Sequence, residues 1–172
     1  MWALNEIAGL VQKAARGAGI PVGQAEDLGR VAVFLAGSGG SIAPVTAALL
    51  EPISTVDVRW QDGSVEVDQG PAALIGPIVC DAFAMGYTSA VLADTAHAAL
   101  ISAFLARSGV APKWAGNTVT ASDTTILRPT CKPVAIPQDD WQIWQDLAAK
   151  TYVPETEASR SSGAGAGLTD ND

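Results

Sequence analysis

Between Val67 and Ala121 the chain carries two long apolar runs on either side of the step Asp94-Thr95-Ala96-His97, and this stretch leaves the fewest choices about the fold. Ala72 to Met85 is apolar on almost every side, with Gly86 after it, which describes a buried helix despite Pro77. Tyr87 to Ala93 is short and rich in Ser, Thr and Val, and reads as an interior strand that ends at Asp94. Ala96 to Arg107 resumes a helical pattern and stops at Ser108-Gly109. Helix, strand, loop and helix in that order make an α/β unit, and such sheets place ligands outside the C-terminal ends of their strands. Asp94, Thr95 and His97 fall at such an end, and His97 is the only histidine in the chain.

The elements before this stretch are mostly helical. Leu4, Ile7, Ala8, Val11, Ala14, Ala15 and Ala18 recur at helical spacing, so a first helix is expected over residues 4 to 18. After Ile20-Pro21 a second pattern runs from Val22 to Ala36, with Glu26 and Asp27 early and Gly37 behind it. A short Gly/Pro link between two helices predicts an antiparallel helical hairpin. Gly37-Ser38-Gly39-Gly40-Ser41 leads into a shorter helix from about Ala43 to Leu50, which Glu51-Pro52 stops. That loop follows a helix and lacks a Lys-Ser/Thr pair, so a plain turn is favoured over a phosphate cradle. Val56 to Trp60 and Val65 to Val67 alternate about Asp62-Gly63, the clearest hairpin signal in the chain.

Beyond the central stretch, Trp114 to Pro137 has extended character, with strands expected at Thr118–Thr120 and Thr124–Leu127. Gln138 to Ala149 returns to a helix, with Asp139 and Asp140 in its first turn and Trp141, Trp144, Leu147 and Ala148 as its apolar stripe. The expected fold is α/β, with α+β as the alternative: an N-terminal helical hairpin packed on a small mixed sheet with covering helices. At 172 residues the chain can bury a core without disulfides or metals, and one domain is expected over residues 1–153. Residues 154–172 are rich in Gly, Ser and acids and read as a flexible tail.

Charge removes several classes of partner. Ten basic against 18 acidic side chains give a net charge of -8, which repels phosphate backbones and anionic lipid, so neither nucleic acid nor a membrane is expected. Cys80 and Cys131 lie in no CxxC or Cys/His cluster, so no metal site is expected. Two free thiols in a reducing cytoplasm are favoured over a disulfide. The opening MWALNEIAGLVQKAARG puts Asn5 and Glu6 early and its cations late, the reverse of a signal peptide. Asp81, Asp94 and His97 also interrupt the longest apolar runs before they reach spanning length, and a cytoplasmic protein is expected. The five tryptophans and the all-round apolar helices point to a homo-oligomer, because such surfaces need covering.

Two readings of the central step stand side by side. His97 can serve as proton donor or ligand contact, with Asp94 fixing its tautomer, or it can be a lone histidine hydrogen-bonded at a helix start. Asn117 and Thr118 can offer an amide and a hydroxyl to a ligand, or form a turn before a strand.

The segments LNEIAGLVQKAARGAGIPVGQAEDLGRVAVFL and TYVPETEASRSSGAGAGLTDND resemble a family of uncharacterised bacterial proteins classed as a domain of unknown function. A more distant resemblance is to the malate/L-lactate dehydrogenase family that lacks a Rossmann fold. Gly70 to Ala84, Val91 to His97, Ala106 to Gly109, and Asn117-Thr118 follow that family's order of elements. The resemblance implies that His97 corresponds to the histidine of an Asn-Ser-Asn-His step, from which Asp94 and Thr95 depart, and that Asn117 and Thr118 match a later pair. Where that family carries a catalytic histidine, this chain has Gly37-Ser38-Gly39-Gly40-Ser41. The expectation is therefore a reduced relative without hydride transfer, which binds a small metabolite or supports an enzyme. A nicotinamide cofactor is not favoured. The alternatives are a small enzyme acting on an organic acid or amide through His97 and Asp94, and a non-catalytic subunit of a larger complex.

Overall fold

The computed structural model describes residues 1–126, 129–130 and 132–152. In chain order the elements are α1 (Leu4–Gly17), α2 (Val22–Gly37), α3 (Ala43–Leu50), β1 (Asp57–Gln61), β2 (Ser64–Gln69), α4 (Ala72–Ala84), β3 (Ser89–Leu92), a 3₁₀ turn (Thr95–His97), α5 (Ala98–Arg107), β4 (Ala111–Ala115), β5 (Thr118–Ser122) and α6 (Gln138–Ala149). The fold is α/β, as the alternation of patterns predicts. No helix among the described residues is long and apolar enough to cross a membrane.

The strands form one sheet in the order β1-β2-β3-β5-β4. Only β2 and β3 run parallel, joined through α4, and the other three pairings are antiparallel. Asp62-Gly63 makes the β1–β2 turn, where Gly63 takes φ of 71°, a conformation that costs glycine little and other residues much. Val65, Val67, Ala90, Leu92 and Val119 are buried on one face of the sheet, under α4 and α5. The alternating positions Ser64, Glu66, Ser89, Val91, Thr118 and Thr120 occupy the other face, which is partly exposed.

Why α4 has no polar face is now plain. Its Ile75, Val79 and Ala82 pack on the sheet, while Ala72 and Ala73 join a second core made by the remaining helices. Helix α5 divides in the same way, with Ile101 and Leu105 toward the sheet and Leu100, Ala103 and Phe104 toward the helices. The helical hairpin α1–α2 therefore meets the sheet through α4 and α5, and α6 closes its far side against α1. Trp144 is fully buried there, and its indole N–H donates to Thr46 Oγ1 at 2.9 Å, which satisfies a polar group that would otherwise be costly to bury. Trp2 stacks on Trp141 with ring centroids 3.7 Å apart. Trp114 donates to Ser102 Oγ at 2.8 Å. These four tryptophans are thus packed within one chain, and only Trp60 is strongly exposed, at 47%.

Three details depart from expectation. Thr124 to Ile126 lie in no strand, and Leu127 falls outside the described residues. The missing strand is β4, whose Pro112 and Lys113 hide a strand pattern; as an edge strand bonded on one side only, it tolerates a proline. The run from Ala96 to Arg107 begins as a 3₁₀ turn, because Asp94 folds back to cap it before the α-helical bonds start at Ala98. Cys131 and the segment 154–172 also lie outside the described residues.

Helix α4 crosses α5 at a point where Gly76 faces the ring of Phe104, and a Cβ at Gly76 would run into that ring. Glycine to alanine inside a helix ordinarily stabilises by up to about 1 kcal/mol. Gly9 in α1 has nothing within 4 Å of its Cβ position, so Gly9→Ala is expected to show that gain. Gly76→Ala is expected to lose about 1–3 kcal/mol, since Phe104 is 1% exposed and its ring has nowhere to go. Urea unfolding of the two variants checks the opposite signs.

Candidate functional site

The parallel pair β2–β3 ends against the start of α4, and a cavity of about 230 Å³ opens there. Its walls come from the end of β2 (Val67, Asp68, Gln69 and Gly70), the end of β3 (Leu92 and Asp94), His97 of the 3₁₀ turn, Ile75 of α4, and Glu51 and Ser54 behind α3. Gly70, with φ of 140°, turns the chain sharply from β2 toward α4 and brings Asp68 and Gln69 to the rim.

His97 does enter this cavity, but its partner is not the carboxylate that the sequence offers. Its Nε2 lies 3.4 Å from Glu51 Oε1, with the two side chains 20% and 25% exposed. At that separation the pair is an ionic contact when the imidazole is protonated, longer than a well-formed hydrogen bond. The other oxygen of Glu51, Oε2, accepts the backbone N–H of Ala72 at 2.9 Å. Glu51 therefore satisfies an orphan donor at the N-terminus of α4 and places a negative charge at the positive end of that helix.

Asp94 also lines the cavity, yet its Oδ1 accepts the N–H of Ala96 at 2.8 Å. A short acidic side chain bonds readily to the backbone two residues on, which here outweighs reaching His97. Asp94 thus shapes the turn that carries the imidazole, and the expected role of fixing its tautomer falls to no contact between the two. Thr95 opens the 3₁₀ turn with its side chain exposed and is not among the cavity's walls. Asn117 contributes its backbone carbonyl, which accepts Leu92 N–H at 2.9 Å and anchors the end of β3. Its side chain is exposed and does not line the cavity. Thr118 sits opposite Val91, on the face of the sheet away from the buried Leu92 and Val119. The glycine loop is separate too: Gly39, Gly40 and Ser41 border a different space of about 480 Å³ beside Pro133–Pro137.

Glu51, Asp68 and Gln69 are the residues that sequence reasoning missed. Glu51 reads only as a helix stop, and nothing in its spacing ties it to His97. Asp68 and Gln69 were within reach, because the rule that marked the end of β3 applies equally to the end of β2. Asp68 is held by Arg59, whose Nη2 donates to its Oδ1 at 2.9 Å while Nη1 bonds its Oδ2. Hydrogen bonding to Glu66 and the charge of Asp68 push the Arg59 guanidinium up from its ordinary basic value.

Two other features are less suited to chemistry. Burial pushes the Cys80 thiol up from its ordinary value, only partly offset by its contact with Ser108, which disfavours the nucleophilic thiolate. Among the described residues no cluster of His, Cys, Asp and Glu has the arrangement to hold a metal ion. A larger cavity, about 720 Å³, lies away from His97 between α1, α2 and the end of α5, and its walls are mainly apolar.

Because Glu51 ties three elements together, Glu51→Ala is expected to lower stability by about 1–2 kcal/mol through loss of the α4 cap. Glu51→Gln keeps an oxygen acceptor for Ala72 N–H and is expected to recover most of that loss. Thermal and urea unfolding of both variants decide it, and equal loss in the two would mean that the charge, not the bond, carries the effect.

No curated protein and no solved structure matches the chain. Residues 2–62, from α1 to the β1–β2 turn, match the model of a family described as Protein of unknown function (DUF3726). The match contains Glu51 and Ser54 but stops short of the strands and turn that supply the rest of the cavity. The opening segment of the chain, about a third of its length, is thus similar to this uncharacterised family.

Proposed function

We propose that this chain is a cytoplasmic small-metabolite-binding protein whose site is the cavity where β2 and β3 end. The observation that carries the reading is convergence: two parallel strand ends, the start of α4 and the only histidine of the chain meet around one polar cavity. A volume of about 230 Å³ lies below the range of about 300–1,000 Å³ that suits drug-sized ligands, so the occupant is small. A nicotinamide dinucleotide would have to lie largely outside it, which supports a role without hydride transfer.

Charge narrows the ligand further. Glu51, Asp68 and Asp94 stand at the walls with only His97 as a titratable base among them. A carboxylate ligand would add a like charge to this group, whereas an amine or amide brings donors to its oxygens. The pair His97–Glu51 also favours a second reading, an acid/base enzyme acting on such an amine or amide, since an imidazole beside a carboxylate can exchange a proton with a bound molecule.

Thermal unfolding with a panel of small amines, amides and organic acids, together with nicotinamide cofactors, tests the binding reading. A ligand present at one hundred times its Kd stabilises the folded state by about 2.7 kcal/mol, a readily measured shift. Amines or amides are expected to raise the midpoint, and His97→Ala is expected to remove most of that shift. A response confined to organic acids or dinucleotides would overturn the ligand class, and no response across the panel would overturn the reading. Turnover of a bound amine or amide that His97→Gln abolishes would establish the enzyme instead.

A further inference from the structure

His97 and Glu51 border not one space but two. Beyond the polar cavity, a second one of about 320 Å³ is walled by the same two side chains together with Pro44, Ala47, Ala48, Ala72, Ala96 and Leu100. Apart from the shared pair, its lining residues are all apolar, and they come from α3, the start of α4, the 3₁₀ turn and the first turn of α5. The imidazole and the carboxylate therefore stand as a partition, with Asp68, Gln69 and Asp94 on one side and methyl and methylene groups on the other.

We infer that the two cavities are the two halves of one binding site for a small amphipathic amine. The ammonium head lies in the polar half, against Glu51 and Asp94, and a short alkyl chain spans the pair into the apolar half. This rests on the proposed binding function and names the substrate class of that site. Neither half is sufficient by itself. The polar half offers acceptor oxygens with little apolar area to bury, and the apolar half has no polar group of its own to fix an orientation. Joined at His97–Glu51, they recognise a molecule with a charge at one end and hydrocarbon at the other. Glu51 is suited to the junction because Oε2 is held by Ala72 N–H while Oε1 faces His97.

The single histidine makes the test direct, because the imidazole Cε1 proton of the intact chain gives one proton NMR signal that belongs to His97. The chain is titrated at fixed pH with methylammonium chloride, n-butylammonium chloride, butyramide and sodium butyrate. Butylammonium is expected to move the His97 signal saturably and to bind at least about ten-fold more tightly than methylammonium, since three further methylenes leave water. Butyrate is expected to bind at least ten-fold more weakly than butylammonium. Ala47→Leu, at an exposed position of α3 that borders only the apolar half, is expected to bring butylammonium down to the affinity of methylammonium. Its unfolding midpoint confirms that it folds.

Equal affinity for the two ammonium ions overturns the two-part site and leaves a polar binding site standing. Butyrate binding as well as butylammonium overturns the amine assignment. A butyl advantage that survives Ala47→Leu overturns the placement of the chain. If butyramide alone moves the signal, the small-ligand reading holds and the cationic head is wrong; if no probe moves it, this inference fails, and the broader panel decides the reading beneath it.

Discussion

Everything in this structure depends on α4 and α5 being covered on both sides. A helix without a polar face cannot end a domain, because the area it leaves in water costs roughly 25 cal/mol per Å². Here the sheet takes one side of the pair, and α1, α2, α3 and α6 take the other. Gly76 lets Phe104 approach α4 closely, so the two helices of the middle layer pack tightly side by side between the two cores. The parallel pair β2–β3 follows from the same arrangement. A strand that runs parallel to its neighbour needs a crossover, and α4 is that crossover.

The cavity is a consequence of the crossover. When β2 gives way to α4 and β3 to the 3₁₀ turn and α5, the chain leaves the sheet in both places, and a gap opens between the two departures. What fills the edge of that gap is brought from elsewhere. Glu51 arrives from the end of α3 and bonds the first N–H of α4, so the helical layer, the crossover and the histidine are fixed by one carboxylate. The site's position therefore belongs to the fold, while its chemical character belongs to side chains supplied by three different segments.

The sequence shows the first of these far better than the second. Helix α6 is legible to the residue, because Trp141, Trp144, Leu147 and Ala148 repeat a local period that does not depend on distant partners. The same holds for the β1–β2 hairpin, where Asp62-Gly63 fixes the turn. Strand β4 was hidden because its pairing with β5, not its own residues, makes it a strand. For the site, His97 and Asp94 could be placed from the end of β3, but their relation could not. Asp94 is nearer to His97 in the chain than Glu51 is, yet the backbone N–H of Ala96 claims it first. Nearness in sequence points to Asp94, whereas the carboxylate that contacts His97 is Glu51, since a local side-chain bond to the backbone forms without any help from the fold.

The acidic character of the cavity is tolerable for a related reason. Each of its carboxylates already has a partner that the fold needs: Glu51 takes Ala72 N–H, Asp94 takes Ala96 N–H, and Asp68 takes Arg59. Each of these bonds holds its carboxylate in one orientation, through one oxygen in Glu51 and Asp94 and through both in Asp68. What remains is an array of acceptors held by the backbone and by one guanidinium, at fixed places before anything binds. If the cavity binds an amine as proposed, preorganisation of this kind costs that ligand little on arrival and a competing anion a great deal, which is how a site with few side chains acquires a preference for one sign of charge.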